Sequence, residues 1–114
     1  MVLRSAIIVL MLMTIPAEAA SRGTLIAMAV GLLDVAEEHC AREVSVDAIE
    51  KTRLLKDFRD YDIGGISSAV SVPLNAFYEE FLHQAKKDRR AFCATAPAEA
   101  ARTGYPVIRP AEDG

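Results

Sequence analysis

The chain of 114 residues has two cysteines, no glycine-rich phosphate loop, no GxSxG elbow and no internal repeat. Each absence removes a class of chemistry. Ser67, Ser68 and Ser71 have no nucleophile-elbow setting, so they carry no sign of covalent catalysis. Neither Cys40 nor Cys93 belongs to a CxxC, a CxxCH or a Cys/His cluster of zinc spacing, which leaves redox, haem and zinc chemistry without local support. A basic excess is lacking too: Lys and Arg number 13 against 16 Asp and Glu, for a formal charge of -3. Nucleic acid, whose phosphates call for a basic face, is an unfavoured partner.

The most informative stretch that is present is the first one, MVLRSAIIVLMLMTIPAEAA. Arg4 supplies a positive start, an apolar run extends to Ile15, and Ala17-Glu18-Ala19 places small residues where a signal peptidase reads them. The apolar part is about a dozen residues, too short for a helix across a bilayer core of roughly 30 Å. The expectation is therefore a signal peptide at 1–19, cleaved rather than retained as an anchor, and no membrane span afterwards. Cleavage removes one base, Arg4, and one acid, Glu18, so the charge stays at -3. The mature chain is then one domain of about 95 residues, near the lower size limit for a self-sufficient core.

Export decides what the cysteines mean. In an oxidising compartment Cys40 and Cys93 are expected to form one structural disulfide. Closing a loop of about 54 residues contributes roughly 4 kcal/mol on the chain-entropy model, a large share of the net stability of so small a domain.

Leu25, Ala29, Leu32, Ala36 and Cys40 recur at helical spacing over Gly23 to Arg42. A second helix is expected from Ser45 or Asp47, with Glu50 three residues after Asp47 in a capping-box-like arrangement and a core side of Leu54, Leu55, Phe58 and Tyr61. Gly64-Gly65 marks its end, and 66–72 reads as a short extra helix or an ordered loop. Pro73 suits the first turn of a third helix, whose stripe of Leu74, Phe77, Tyr78, Phe81, Leu82 and Ala85 continues to Cys93. The basic run Lys86, Lys87, Arg89 and Arg90 would then occupy the last turns of that helix, favourable to its dipole. From Ala94 the chain carries three prolines and many alanines, and 94–114 is expected to be a flexible Ala/Pro-rich C-terminal tail, with Tyr105 to Ile108 able to lie against the domain. The fold class expected over 20–93 is all-α, a small up-down-up bundle of three helices, or four if 66–72 is helical. The third helix is expected to be its central packing element, and the disulfide its staple.

Candidate chemistry is sparse. His39 and His83 are the first metal or acid–base candidates, but His83 precedes Cys93 by ten residues, roughly 15 Å along a helix, whereas His39 adjoins Cys40. His83 shares a face with Glu79, read as a solvated pair. Asp57, Asp60 and Asp62 before Gly64 lack the closing bidentate acid of a calcium loop, since Ser68 stands there. The stripe Phe77, Tyr78, Phe81 is read as core, with a ligand groove as the alternative. No catalytic residue, cofactor or metal ligand is assigned.

The function expected is a non-enzymatic interaction or accessory module, periplasmic or secreted, whose partner is another envelope or extracellular protein. In size, export and wide spacing of Cys40 and Cys93 over most of the mature chain, the sequence resembles the periplasmic acid-stress chaperones of the HdeA type. That resemblance implies apolar faces that become available when carboxylates protonate, and it assigns no residue role. A small binder of metal or apolar ligand, using His39, His83 or the aromatic stripe, is the third alternative.

Processing is directly testable. Intact-mass analysis of the envelope fraction should find a mature chain beginning at Ala20; a chain still starting at Met1 would remove the basis for both export and the redox inference.

Overall fold

The computed structural model describes residues 17–63 and 67–111; side-chain surroundings are described for 22–61 and 73–111. The signal segment through Pro16 and the Gly64-Gly65 stop therefore lie outside the described residues. Among the described residues four helices and one two-stranded ribbon occur in chain order: α1 Ala17–His39, β1 Val44–Val46, α2 Ala48–Ile63, α3 Ser67–Lys87, α4 Arg89–Arg102 and β2 Ile108–Pro110.

Helix α1 is the spine. Its side chains Ile26, Ala27, Ala29, Leu32, Leu33, Val35 and Ala36 are all buried, covering more than one helical face, because α2, α3 and α4 each pack against it. This corrects the expectation that the third helix is central. The α3 stripe is one-sided: Phe81 and Ala85 are buried, while Leu74, Phe77, Tyr78 and Leu82 are half-buried around them. Gly31 lets α1 and α3 approach closely, since a Cβ there would stand 3.2 Å from the Tyr78 backbone nitrogen and 3.4 Å from the Phe77 Cβ.

A few contacts fix the helix directions. Lys51 Nζ lies 2.7 Å from Glu37 Oε2, and Arg22 lies 3.8 Å from Asp57, so α2 runs back along α1. Gly31 abuts Phe77 and Tyr78, and Arg89, just past α3, reaches the His39 carbonyl at the end of α1, so those two helices run the same way. The Cys40–Cys93 disulfide then returns α4 along α1, with Tyr105 arriving beside Asp57 and the cleft of Arg22 and Leu25. The result is up-down-up-down.

Asp47 caps α2 as expected, accepting from the Glu50 N–H at 2.9 Å. Leu54 is buried, but Leu55, one residue round the helix, is 37% exposed and is not part of the core. Helix α3 begins at Ser67, so 66–72 is neither a separate helix nor a loop over its described part. Pro73 consequently lies inside α3 rather than in its first turn, where it forfeits one backbone hydrogen bond.

The third helix does not run through to Cys93. Asp88 ends α3, its N–H donating to the Gln84 carbonyl, and opens α4 as N-cap, its Oδ1 accepting from the Ala91 N–H at 3.1 Å. A short side chain that competes for backbone donors favours such a restart. Residues 94–102 are then helix, not flexible tail. Alanine has the highest helix propensity, and Ala96 and Ala100 supply a small buried face below Phe92 and Cys93, while Pro97 removes one bond without ending the helix. Beyond it, Gly104 turns the chain at φ 87°, and Tyr105, Val107 and Ile108 bury themselves against the bundle. The strands pair antiparallel, Val44 opposite Pro110, Ser45 opposite Arg109 and Val46 opposite Ile108.

Phe81 stacks on Phe77 with ring centroids 6.2 Å apart and tilts onto Phe92 at 6.1 Å, linking α3 to α4. Truncation of a buried Phe typically costs about 3–5 kcal/mol. Phe81→Ala should therefore leave the domain largely unfolded or protease-sensitive, while His83→Ala, at an exposed position two residues away, should change little; paired denaturant titrations measure both.

Candidate functional site

Among the described residues, polar side chains converge at three places, all tied to the disulfide or to the C-terminal segment. The first is the staple itself. Cys40, fully buried just past α1, and Cys93, buried in the second turn of α4, have Cα atoms 5.5 Å apart and are bonded as expected. Cys93 stands near the start of its helix, not at the end of a longer one. Beside the bond, Arg89 Nη1 lies 2.7 Å from Glu43 Oε2 and donates to the His39 carbonyl at 3.1 Å. One guanidinium thereby neutralises an acid and satisfies an orphan carbonyl at the end of α1. The Arg89 hydrogen bond holds the Glu43 carboxyl below its ordinary value against partial burial, and Glu43 Oε1 is buried with no partner of its own among the described residues. A cleft of about 330 Å³ opens here, lined by Glu38, His39, Ala41, Arg42, Glu43 and Arg89.

The second place is Asp47. One carboxylate oxygen caps α2 and the other pairs with Arg109 of β2, so a single acid fixes both a helix start and the ribbon. Its carboxyl is held below the usual range, chiefly by the Glu50 N–H and then by Arg109. The Asp47 N–H also donates to the Val107 carbonyl at 2.8 Å.

The third is Tyr105, whose hydroxyl donates to Asp57 Oδ2 at 2.6 Å while the Arg53 guanidinium lies 4.5 Å over its ring. Arg53 also reaches the Gly104 carbonyl at 2.7 Å and Glu50 Oε1 at 2.7 Å. Burial, followed by the Asp57 contact, pushes the Tyr105 phenol up to about 12. A smaller cleft of about 130 Å³ adjoins it, lined by Arg22, Leu25, Arg53, Thr103, Gly104 and Tyr105.

The sequence candidates fare unevenly. His39 is partly buried with Nε2 3.8 Å from Glu38 Oε1, and His83 is exposed on α3. Among the described residues no three of His, Cys, Asp and Glu are grouped to hold a metal ion. Asp57 is bonded to Tyr105 and Asp60 to Lys56, so these two do not converge as a calcium loop would require. Phe81 is buried between two aromatic rings, a packing role. The bonding roles of Arg89, Arg53 and Tyr105 escape sequence reasoning. Only Tyr105 carries a usable signal, the alternation of Tyr105 and Val107 around Pro106 after a glycine turn. Comparison with family models, curated proteins and solved structures gives no match.

The three groups set opposite limits on pH stability. Glu43 and Asp47 have folded values below their ordinary 4.5 and 3.8, so their contribution is present above those values and lost as pH falls through the lower folded ones. Tyr105 is shifted up, so its contribution is full below 10.0 and lost as pH rises toward about 12. Melting temperature against pH should show both limbs; Glu43→Gln should flatten the acid limb and Tyr105→Phe the alkaline one. An alkaline limb unchanged in Tyr105→Phe would remove that contact from the account.

Proposed function

We propose that this chain is an exported, non-enzymatic interaction module: a stapled helical scaffold that presents a fixed helix surface to another envelope or extracellular protein. The observation that carries it is the use made of the polar side chains. Cys40 and Cys93 are bonded to each other, Asp47 is divided between a helix cap and Arg109, and Asp57 and Arg53 are occupied by the Tyr105 segment. These cysteines, carboxylates and this guanidinium, which could otherwise carry acid–base or nucleophilic chemistry, are thus engaged in fixing shape. A disulfided sulfur is not a thiolate. Fixed shape lowers the ordering cost of association, which is where a small binding module gains. The bonded cysteines also suit an oxidising compartment, and among the described residues no helix is long and apolar enough to cross a membrane.

A second reading, the acid-stress chaperone, is favoured by Glu43 and Asp47, whose ion pairs with Arg89 and Arg109 bracket β1 at both ends. Protonating both acids would release the ribbon and the apolar residues beneath it.

The two readings separate in one set of measurements. Photo-crosslinkable residues placed at Ile49, Leu55 and Gln84, on three exposed positions, should capture a discrete envelope protein at neutral pH in the native host. The acid chaperone reading requires no discrete adduct, dye binding in acid and suppression of aggregation of an acid-denatured test protein. That outcome would replace the first reading by the second. A melting shift on adding zinc or calcium would replace it by a ligand-binding one.

A further inference from the structure

The one-residue turn between α3 and α4 concentrates positive charge that the fold only partly uses. Lys86, Lys87, Arg89 and Arg90 surround Asp88 in five consecutive residues. Asp88 is occupied as N-cap, and Arg89 is occupied by Glu43 and the His39 carbonyl. Lys86 and Lys87 close α3, where positive charge is favourable, but Arg90 lies in the first turn of α4, where it opposes the helix dipole. Lys86, Lys87 and Arg90 are exposed, and none pairs with a carboxylate among the described residues. In a chain of net charge -3, this corner stands against the overall sign.

Beside the turn lies a cleft of about 240 Å³, lined by Gln84, Lys87, Asp88, Ala91, Phe92 and Thr95, so that Lys87 is the cation at the cleft and Lys86 and Arg90 flank it from outside. Its walls are mainly apolar. The Thr95 hydroxyl is turned back onto the Ala91 and Phe92 carbonyls at 3.3 and 3.2 Å, which withdraws it as a polar group. Pockets for drug-sized ligands start at about 300 Å³, so this one has room for a single large side chain rather than a whole small molecule.

We propose that this corner docks an acidic segment of a partner protein, its carboxylates meeting Lys86, Lys87 and Arg90 and one aliphatic or aromatic side chain seated in the cleft beside Phe92. The inference rests on the interaction-module reading and names the chemistry of the partner. Charge complementarity selects the sign of the segment. The corner favours a peptide over a bilayer, because membrane binding draws on apolar side chains that project outward, and Lys86 to Arg90 include none.

The test uses the full oxidised chain and three labelled peptides: one rich in Asp and Glu with a single central Phe, the same with Phe replaced by Ser, and the same with its acids replaced by Lys. Fluorescence anisotropy should show saturable binding of the first, weakened by about tenfold when salt shortens the Debye length from about 30 Å to 8 Å. Binding of the second should be weaker, and the third should not bind. The triple variant K86E/K87E/R90E should lose binding with an unchanged melt; should it not fold, Ala91→Gln, an uncharged filling change at an exposed position of the cleft, should reduce the first peptide to the level of the second. Absence of saturable binding by the acidic peptide, equal binding of the Lys peptide, or insensitivity to Ala91→Gln would overturn the proposal. So would preferential binding to phosphatidylglycerol vesicles over the peptide, which would assign the corner to a membrane surface. A discrete crosslink from Ile49 or Leu55 but not Gln84, together with such a failure, would sink this inference and leave the module reading standing.

Discussion

The Cys40–Cys93 bond joins the end of the central helix to the second turn of the helix that returns along it, and most of the remaining geometry depends on that join. With Cα atoms 5.5 Å apart, α4 has to start at the level where α1 stops. That places Arg89 within reach of both Glu43 and the last carbonyls of α1, and sends the small face of Ala96 and Ala100 down the spine. Small residues let α4 lie close to α1, and close packing is where dispersion contacts add up. The bond thus sets direction and level, and packing does the rest.

The ribbon depends on the same arrangement at one remove. Val44–Val46 and Ile108–Pro110 are three residues each, and a two-stranded pair is not stable on its own. They persist because β1 is held at one end by Glu43 on Arg89 and at the other by Asp47, while Val107 and Ile108 are buried against the helices. Tyr105 adds a second anchor through Asp57 and Arg53. Residues 94–111, which composition alone marks as a tail, are in this way part of the domain.

Much of the helical content was legible because the apolar residues of α2 and α3 recur with a regular period, and the Asp47 cap was legible because its chemistry is local. The spine was harder to see. Apolar residues nearly all round α1 signal burial on several sides, yet the clean stripe of α3, which belongs to a helix packed on one side, gives the sharper pattern. The break at Asp88 was hidden because the apolar period carries across it, from Leu82 to Cys93, and a one-residue turn needs neither glycine nor proline. In the C-terminal part, three prolines suggest an extended chain more strongly than the alanines suggest a helix, whereas in the fold Pro97 costs one hydrogen bond and Ala96 and Ala100 gain a buried face. Arg89 meets Glu43 and Arg53 meets the Gly104 carbonyl across long stretches of chain, and such pairing has no periodicity to betray it.

The disulfide also makes a covalent ring of the chain between Cys40 and Cys93, from which α1 and the stretch 94–111 extend as two arms. The arms are not loose, since α1 and α4 pack together and β2 pairs with a strand inside the ring. A single proteolytic cut within the ring therefore separates no part of the molecule: both fragments stay joined through sulfur and through the core, and the nicked protein migrates as one species until it is reduced. A cut after Cys93 has a different result, because the released piece is held by non-covalent contacts alone, those of Ala96, Ala100, Tyr105, Val107 and Ile108 and the Arg109–Asp47 pair. The chain thus divides into a ring in which a single backbone cut leaves the fragments covalently joined, and two arms, α1 and 94–111, in which the same lesion leaves a piece held by packing alone.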